Sequence, residues 1–401
     1  MTVTIRPSQA KGTVTAPPSK SVAHRLLIAA GLAKGKSVIR NVAFSEDILA
    51  TLDCLKALGV KTETSKDTVK VTGIGGVPTP TSTLFCRESG STLRFMIPIA
   101  ALSEEAAEFT GAERLFERPL GIYETIFREQ NLPFLQTSNR LVLNGKLKSG
   151  KFTVKGNISS QFITGLLFAL PLLSGDSEII LTPPVESRPY IDITLDTLAA
   201  FGIEVTWQNE TALFVKGNQY YTPQKLTVEG DYSNVAFTEA LALLGDDVTT
   251  LGLSDASKQG DRIFYRYFEA LKQGAPTLSL ADCPDLAPIL MTLAALMNGA
   301  VFEDTARLAI KESNRGEAMA EELAKCGAYC HIEENRITVE KRALHAPREA
   351  LYGHNDHRIV MSLSVLLTRL GGKIEGAEAI RKSYPDFFEK LLSLGVSLTK
   401  E

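Results

Sequence analysis

The chain has 401 residues, 44% of them hydrophobic and 22% charged, the balance of a globular protein long enough for two or three domains. Its formal net charge of −3 provides no whole-protein field for nucleic acid or an anionic membrane, so an anionic ligand has to be met by a local cluster of cations. Residues 1–6 carry neither the basic start nor the apolar run of a signal peptide. The longest apolar stretches, 163–173 and 286–297, are shorter than the roughly 20 residues that span a bilayer, and the expected location is cytoplasmic.

Six nearly all-apolar helices are predicted, beginning near Ser19, Ser89, Ser159, Tyr232, Cys283 and Asn355. Their bodies include Leu26-Leu-Ile-Ala-Ala30, Leu93-Arg-Phe-Met-Ile97 and Leu166-Leu-Phe-Ala-Leu170, which lack a polar face and call for burial. Each is followed by a more charged helix that stops at a Gly or Asn before a short strand. The stops are Gly59, Asn131, Gly202, Gly274, Gly327 and Gly395, the residues that accept the left-handed turn of a helix end. Gly274 and Asn131 are the weaker copies.

Most intervals between stops are about 70 residues, and a fixed period indicates repeated supersecondary units. Short β-rich runs at 69–72, 141–143, 152–155, 178–181, 213–216 and 336–339 complete them. The expected fold class is therefore α/β, with six units forming two similar domains of three, helices inside and sheets outside.

Residues suited to anions recur where the apolar helices start. Lys20, Ser21 and Arg25 follow Pro17-Pro18-Ser19; Glu88-Ser89-Gly90 leads to Arg94; Ser159, Ser160 and Gln161 open the third helix. A helix N-terminus already favours anions, and extra Lys or Arg there works against the helix dipole. Capping alone accounts for single Ser residues at such places. Recurrence in equivalent positions is what makes convergence on one cleft the expectation.

Loop candidates are Arg118, Ser187 with Arg188 and Tyr190, Lys311 with Glu312 and Arg315, Arg358, and Lys382. Asp285, at the entry to an apolar helix, is a candidate base. The cysteines, Cys54, Cys86, Cys283, Cys326 and Cys330, are odd in number and lack a Cys-x-x-Cys pair, so they read as buried thiols.

In order, Pro18-Ser-Lys-Ser21 with Arg25, Ser89-Gly-Ser-Thr-Leu-Arg94, Glu117-Arg-Pro119, Ser159-Ser-Gln161, Ser187-Arg-Pro-Tyr190, Glu229-Gly-Asp231, Pro284-Asp285, Lys311-Glu-Ser-Asn-Arg315, Asn355-Asp-His-Arg358 and Lys382-Ser-Tyr-Pro-Asp386 resemble the 3-phosphoshikimate 1-carboxyvinyltransferases (5-enolpyruvylshikimate-3-phosphate synthases) of the enolpyruvyl transferase family. The resemblance covers almost the whole chain. It implies an inside-out α/β barrel in each of two domains, 14–227 on the shikimate 3-phosphate side and 1–13 with 228–401 on the phosphoenolpyruvate side. The implied reaction is addition of the shikimate 3-phosphate 5-hydroxyl to phosphoenolpyruvate followed by loss of phosphate, with no cofactor and no metal.

The resemblance also implies the residue roles. Lys20, Ser21, Arg25, Ser159, Ser160, Gln161, Ser187, Tyr190, Asp285 and Lys311 would bind shikimate 3-phosphate. Lys20, Gly90, Arg118, Gln161, Glu312, Arg315, Arg358 and Lys382 would bind phosphoenolpyruvate. Asp285, Glu312 and Lys20 would be catalytic. The expected protein acts as a monomer on these two small molecules, without nucleic acid or membrane. Gly90 keeps the small residue that accompanies sensitivity to glyphosate.

Three positions depart from the pattern: Glu88 and Arg307 stand where Asn is common, and Phe95 where Pro is frequent. The sister transferase that acts on UDP-N-acetylglucosamine carries a reactive Cys in a loop that here reads Gly111-Ala-Glu-Arg-Leu-Phe-Glu-Arg-Pro119, without Cys. A nucleic-acid-binding repeat protein is the rival of another class, since related α/β units occur in RNA 3′-phosphate cyclases, and it is opposed by the acidic balance and by the lack of aromatic residues beside the basic segments.

Overall fold

A computed structural model describes residues 1–401. It divides into two compact units, one continuous from Lys20 to Glu229 and one made of Met1–Ser19 with Gly230–Glu401. The continuous unit holds α1 (Lys20–Leu32), α2 (Glu46–Ala57), α3 (Gly90–Ala100), the short α4 (Glu113–Glu117), α5 (Gly121–Glu129), α6 (Ser160–Ala169) and α7 (Arg188–Ala200). The other holds α8 (Tyr232–Leu243), α9 (Phe264–Gln273), α10 (Ala287–Leu296), α11 (Arg315–Ala324), α12 (His357–Leu370) and α13 (Phe387–Ser393).

The expected inner helices are α1, α3 and α6 in one unit and α8, α10 and α12 in the other. Nearly every residue of α3, α6, α10 and α12 is buried, as their unbroken apolar sequences require. In the continuous unit the three inner helices meet around Phe95, whose ring lies 6.1 Å from that of Phe168 on α6 and 6.3 Å from His24 on α1. Burying one Phe contributes about 1.5–3 kcal/mol, so these contacts anchor the helix starts that carry the polar residues. The charged helices are outer: α5 buries Tyr123, Ile126 and Phe127 and exposes its other face.

Each repeat adds strands to one pattern. Leu84–Phe85 runs parallel to Ala107–Thr110, which is antiparallel to Arg140–Leu143, itself antiparallel to Phe134–Gln136. Four further four-stranded sheets copy this order. In one of them the first strand, Lys225–Thr227, comes from the far end of the continuous unit and pairs with Lys34–Arg40. In another, Val3–Ile5 comes from the N-terminus and lies between Gly372–Glu375 and Leu398–Lys400.

The remaining sheet has only Lys11–Thr15 beside Asp247–Leu251. That repeat passes from α9 directly to the next unit without a hairpin, which explains the short interval between the stops at 274 and 327. It also accounts for the one stop that departs from expectation. Gly59, Asn131, Gly202, Gly327 and Gly395 all have φ between 58° and 92°, whereas Gly274 has φ 166°, extended backbone. A chain heading straight into the next strand needs no left-handed turn.

Two helix starts also differ in detail. The fifth inner helix is preceded by a 3₁₀ turn, Pro284–Leu286, so Asp285 lies before the α-helix. The sixth begins at His357 because Asp356 caps it, accepting the Arg358 N–H.

Candidate active site

In the continuous unit most of the sequence candidates lie where the inner helices begin, with Arg118 just past α4 and Ser187 and Tyr190 at the start of α7. Lys20 is the first residue of α1, and its Nζ donates to Asp47 Oδ2 at 2.8 Å, from the first turn of α2. Arg25 is buried, and neutral oxygens hold it: Nε donates to Thr194 Oγ1 at 2.8 Å, Nη1 to the Ser21 carbonyl at 2.7 Å, and Nη2 to the Tyr190 carbonyl at 3.1 Å and Thr164 Oγ1 at 3.3 Å. Burial without a carboxylate lowers its pKa to about 10. The Phe95 ring lies 5.2 Å from this guanidinium, so the Phe that departs from the common Pro gives Arg25 an aromatic face.

At α3, Ser89 is the helix cap, accepting the Thr92 N–H. Gly90 follows, with the buried Arg118 guanidinium directly against it. A Cβ at Gly90 would fall 2.5 Å from Arg118 Nη1 and 2.7 Å from Cζ. The Nε of Arg118 is buried and has no protein acceptor, which suits a guanidinium that serves an anionic ligand.

Ser159 caps α6 through the Gln161 N–H. The Gln161 side chain then bridges α6 and α3, accepting from Arg94 Nη1 at 2.6 Å and donating to Ser91 Oγ at 2.9 Å. Ser160 is buried beside it. Ser187 occupies the start of α7 with φ 57° and gives the helix no side-chain cap bond.

In the second unit three cations and three carboxylates form one network. Asp285 Oδ1 accepts from Arg315 Nη1 at 2.7 Å and Lys311 Nζ at 3.3 Å, and Arg358 Nη2 lies 3.2 Å from Oδ2. Arg315 also donates to Glu312 at 2.7 Å and to Asp356 at 2.8 Å. Lys382, ending a 3₁₀ turn, donates to the Asn355 carbonyl at 2.6 Å. Burial alone would lower the pKa of Arg315, but Asp356, Glu312 and Asp285 hold it well above the ordinary value. Lys311 goes the other way: burial pushes its ammonium pKa down further than Asp285 restores it.

Most of the sequence-predicted residues therefore lie in one of two groups, one per unit, whereas Arg188 lays its guanidinium over the Trp207 ring at 4.3 Å. Four important partners were not singled out. Thr164 and Thr194 sit four residues after Ser160 and Tyr190, one helical turn along the same face. Asp47 resembles an ordinary first-turn acid, and Asp356 an ordinary cap. Arg307, the charged departure that lies in this unit, donates Nη2 to the Ala281 carbonyl.

Arginine forks and lysines at helix starts are groups suited to small multiply charged anions. Comparison with known proteins specifies which. The family profile EPSP synthase (3-phosphoshikimate 1-carboxyvinyltransferase) matches residues 5–391, and the chain belongs to that family.

The chain is 42% identical over 419 residues to the 3-phosphoshikimate 1-carboxyvinyltransferase of Clostridium kluyveri, covering 98% of this chain and 97% of that one. It is 39% identical to the Clostridioides difficile enzyme of the same name over 422 residues, with the same coverage. In fold it matches the EPSP synthase of Acinetobacter baumannii with a TM-score of 0.81 over 100% of both chains at 23% identity. It also matches the enolpyruvyl transferase NikO of Streptomyces tendae with a TM-score of 0.80 over 99% and 98% of the two chains at 13% identity.

Proposed function

We infer that the two clusters carry out the family reaction, transfer of the enolpyruvyl group of phosphoenolpyruvate to the 5-hydroxyl of shikimate 3-phosphate. The observation that carries this reading is the Asp285 carboxylate held by Lys311, Arg315 and Arg358. These contacts fix a carboxylate among the cations that would hold the substrates, where it can accept the proton of a hydroxyl placed against it.

Arg25, Ser21 and Lys20 take the carboxylate of shikimate 3-phosphate, and Ser159, Ser160 and Ser187 take its phosphate. Gln161 and Tyr190 lie along the ring, while Asp285 and Lys311 meet its hydroxyls. Lys20, Gly90, Arg118, Gln161, Arg315, Arg358 and Lys382 hold phosphoenolpyruvate, with Glu312 beside its methylene carbon.

The 5-hydroxyl oxygen bonds to C2 of phosphoenolpyruvate as Asp285 removes its proton and C3 gains one from Glu312 or Lys20. The tetrahedral adduct then breaks its C2–O bond to phosphate, and C3 returns a proton to restore the double bond. The fixed guanidiniums stabilise charge that moves between the carboxylate and phosphate groups, without reorganising during the step. The enzyme acts as a cytoplasmic monomer in this reading.

Phosphate release from phosphoenolpyruvate should require shikimate 3-phosphate, and no release from the wild-type chain would end this reading. Asp285→Ala should still bind both substrates while turnover falls by a factor of about 100 or more.

A further inference from the structure

Arg315 opens α11, and Glu322 lies two helical turns further along the same face. Both grip the segment that leads into α12. Arg315 bonds Asp356 through Nε at 2.8 Å and Nη2 at 3.3 Å. Glu322 is fully buried and accepts from the Tyr352 N–H at 2.9 Å, from Lys325 Nζ at 3.0 Å and, at 2.9 Å, from His354 Nε2.

Between the two grips the backbone is strained. His354 and Asn355 have φ values of 47° and 51°, two successive left-handed residues, neither of them glycine. Such a turn persists only where its surroundings fix it. Around it the Asp356 N–H donates to the Gly353 carbonyl, and the Gly353 N–H to the Glu375 carbonyl, both at 2.9 Å.

Three groups depend on this turn. The Asn355 carbonyl accepts Lys382 Nζ, Asp356 fixes Arg315, and the same Asp356 caps the helix that starts with His357 and Arg358. If the turn relaxed to ordinary φ values, the Asn355 carbonyl would swing off Lys382 and Asp356 would lose its aim at both arginines.

We propose that Glu322 and His354 are positioning residues of the transferase: their hydrogen bond locks the left-handed turn that sets Lys382, Arg315 and Arg358 for phosphoenolpyruvate. Neither residue touches a reacting atom. The inference rests on the reading of those three cations as phosphoenolpyruvate ligands. The geometry favours a latch over a cation site, because the Lys325 ammonium already takes the Glu322 oxygen that meets His354.

The test is steady-state kinetics of the full chain with each substrate varied in turn. His354→Leu should raise KM for phosphoenolpyruvate about tenfold. It should leave KM for shikimate 3-phosphate within about twofold. His354→Gln, whose amide N–H reaches towards the same carboxylate, should recover most of the loss. Glu322→Gln, which keeps an acceptor for Tyr352 but weakens the bond to His354, should give a smaller rise in the same constant and serves if His354→Leu does not fold.

An unchanged KM for phosphoenolpyruvate, an equal rise for both substrates, or a Gln variant no better than Leu would each overturn the proposal. Lys382→Met run in parallel separates the two readings. If it raises KM for phosphoenolpyruvate while His354→Leu does not, only the latch is wrong; if it leaves that constant unchanged, the ligand assignment and the latch fall together.

Discussion

Arg25 and Arg315 are both buried guanidiniums near the start of a helix, and opposite kinds of partner hold them. Around Arg25 every hydrogen-bonding partner is a neutral oxygen, from Thr164, Thr194, Ser21 and Tyr190. Around Arg315 they are three carboxylates, Asp285, Glu312 and Asp356. The first arrangement leaves a positive charge uncompensated, which costs stability and readies the group for an anion. The second neutralises its cation in place, which fixes geometry and makes the network interdependent.

The sharpest way to break this contrast is to remove each guanidinium. Arg315→Met leaves three carboxylates facing one another and should cost about 3–5 kcal/mol of stability, besides abolishing turnover. Arg25→Met removes a desolvated charge whose threonine partners already bond each other at 2.9 Å. It should change stability by less than about 1 kcal/mol while losing affinity for shikimate 3-phosphate. Urea denaturation of the two variants measures the difference, and equal losses would refute the contrast.

A second break concerns Gly90. Its added Cβ in Gly90→Ala would meet the Arg118 guanidinium at 2.5 Å, so the guanidinium and not the backbone must move. KM for phosphoenolpyruvate should rise about tenfold with KM for shikimate 3-phosphate nearly constant. A matching rise in both constants would mean that Arg118 is not specific to one substrate.

Much of this was legible in the sequence because helices leave strong marks. The six apolar bodies and the Gly or Asn stops gave the repeat, and the strand runs at 69–72, 152–155 and 336–339 fall within Thr68–Ile74, Lys151–Lys155 and Arg336–Glu340. What escaped was pairing between distant segments. No local pattern says that Lys225–Thr227 completes the sheet of Lys34–Arg40, or that one repeat lacks its hairpin.

The site shows the same division. Charged residues at helix starts are visible one by one, but Asp47 looks like an ordinary first-turn acid and Asp356 like an ordinary cap until their partners Lys20 and Arg315 are seen. Of the strained pair His354 and Asn355, only the Asn is a residue that readily accepts left-handed backbone, and a single Asn is too common to reveal the turn.

The charge contrast also sharpens in pH profiles. Burial leaves Lys311 with a pKa below that of an ordinary lysine. Its charged form bonds Asp285, so kcat/KM should begin to fall on the alkaline side before a solvent-exposed lysine would titrate. Lys311→Arg keeps a cation there and should move that limb to higher pH, as a rate profile from pH 7 to about 10.5 would record. An unmoved limb would assign it to another group.

The smallest effect is expected at acid pH, and it separates the two units again. Holds made of neutral oxygens are indifferent to acid, whereas those made of carboxylates are not. For Glu322, burial alone would raise the pKa, but the bonds from His354, the Tyr352 N–H and Lys325 outweigh it and set the carboxyl below its ordinary value of 4.5. A carboxyl with a depressed pKa stabilises the folded state fully above its unfolded value, and that contribution is lost as pH falls through the folded one. Wild-type stability should therefore decline below about pH 5 more steeply than that of Glu322→Gln, which is weaker at neutral pH but has no proton to gain. Hydrogen exchange should place the acid-sensitive opening at residues 351–358 and leave the amides of α3 and α6 protected. Protection lost first in α3 or α6 would show that the neutral-oxygen network is the weaker of the two.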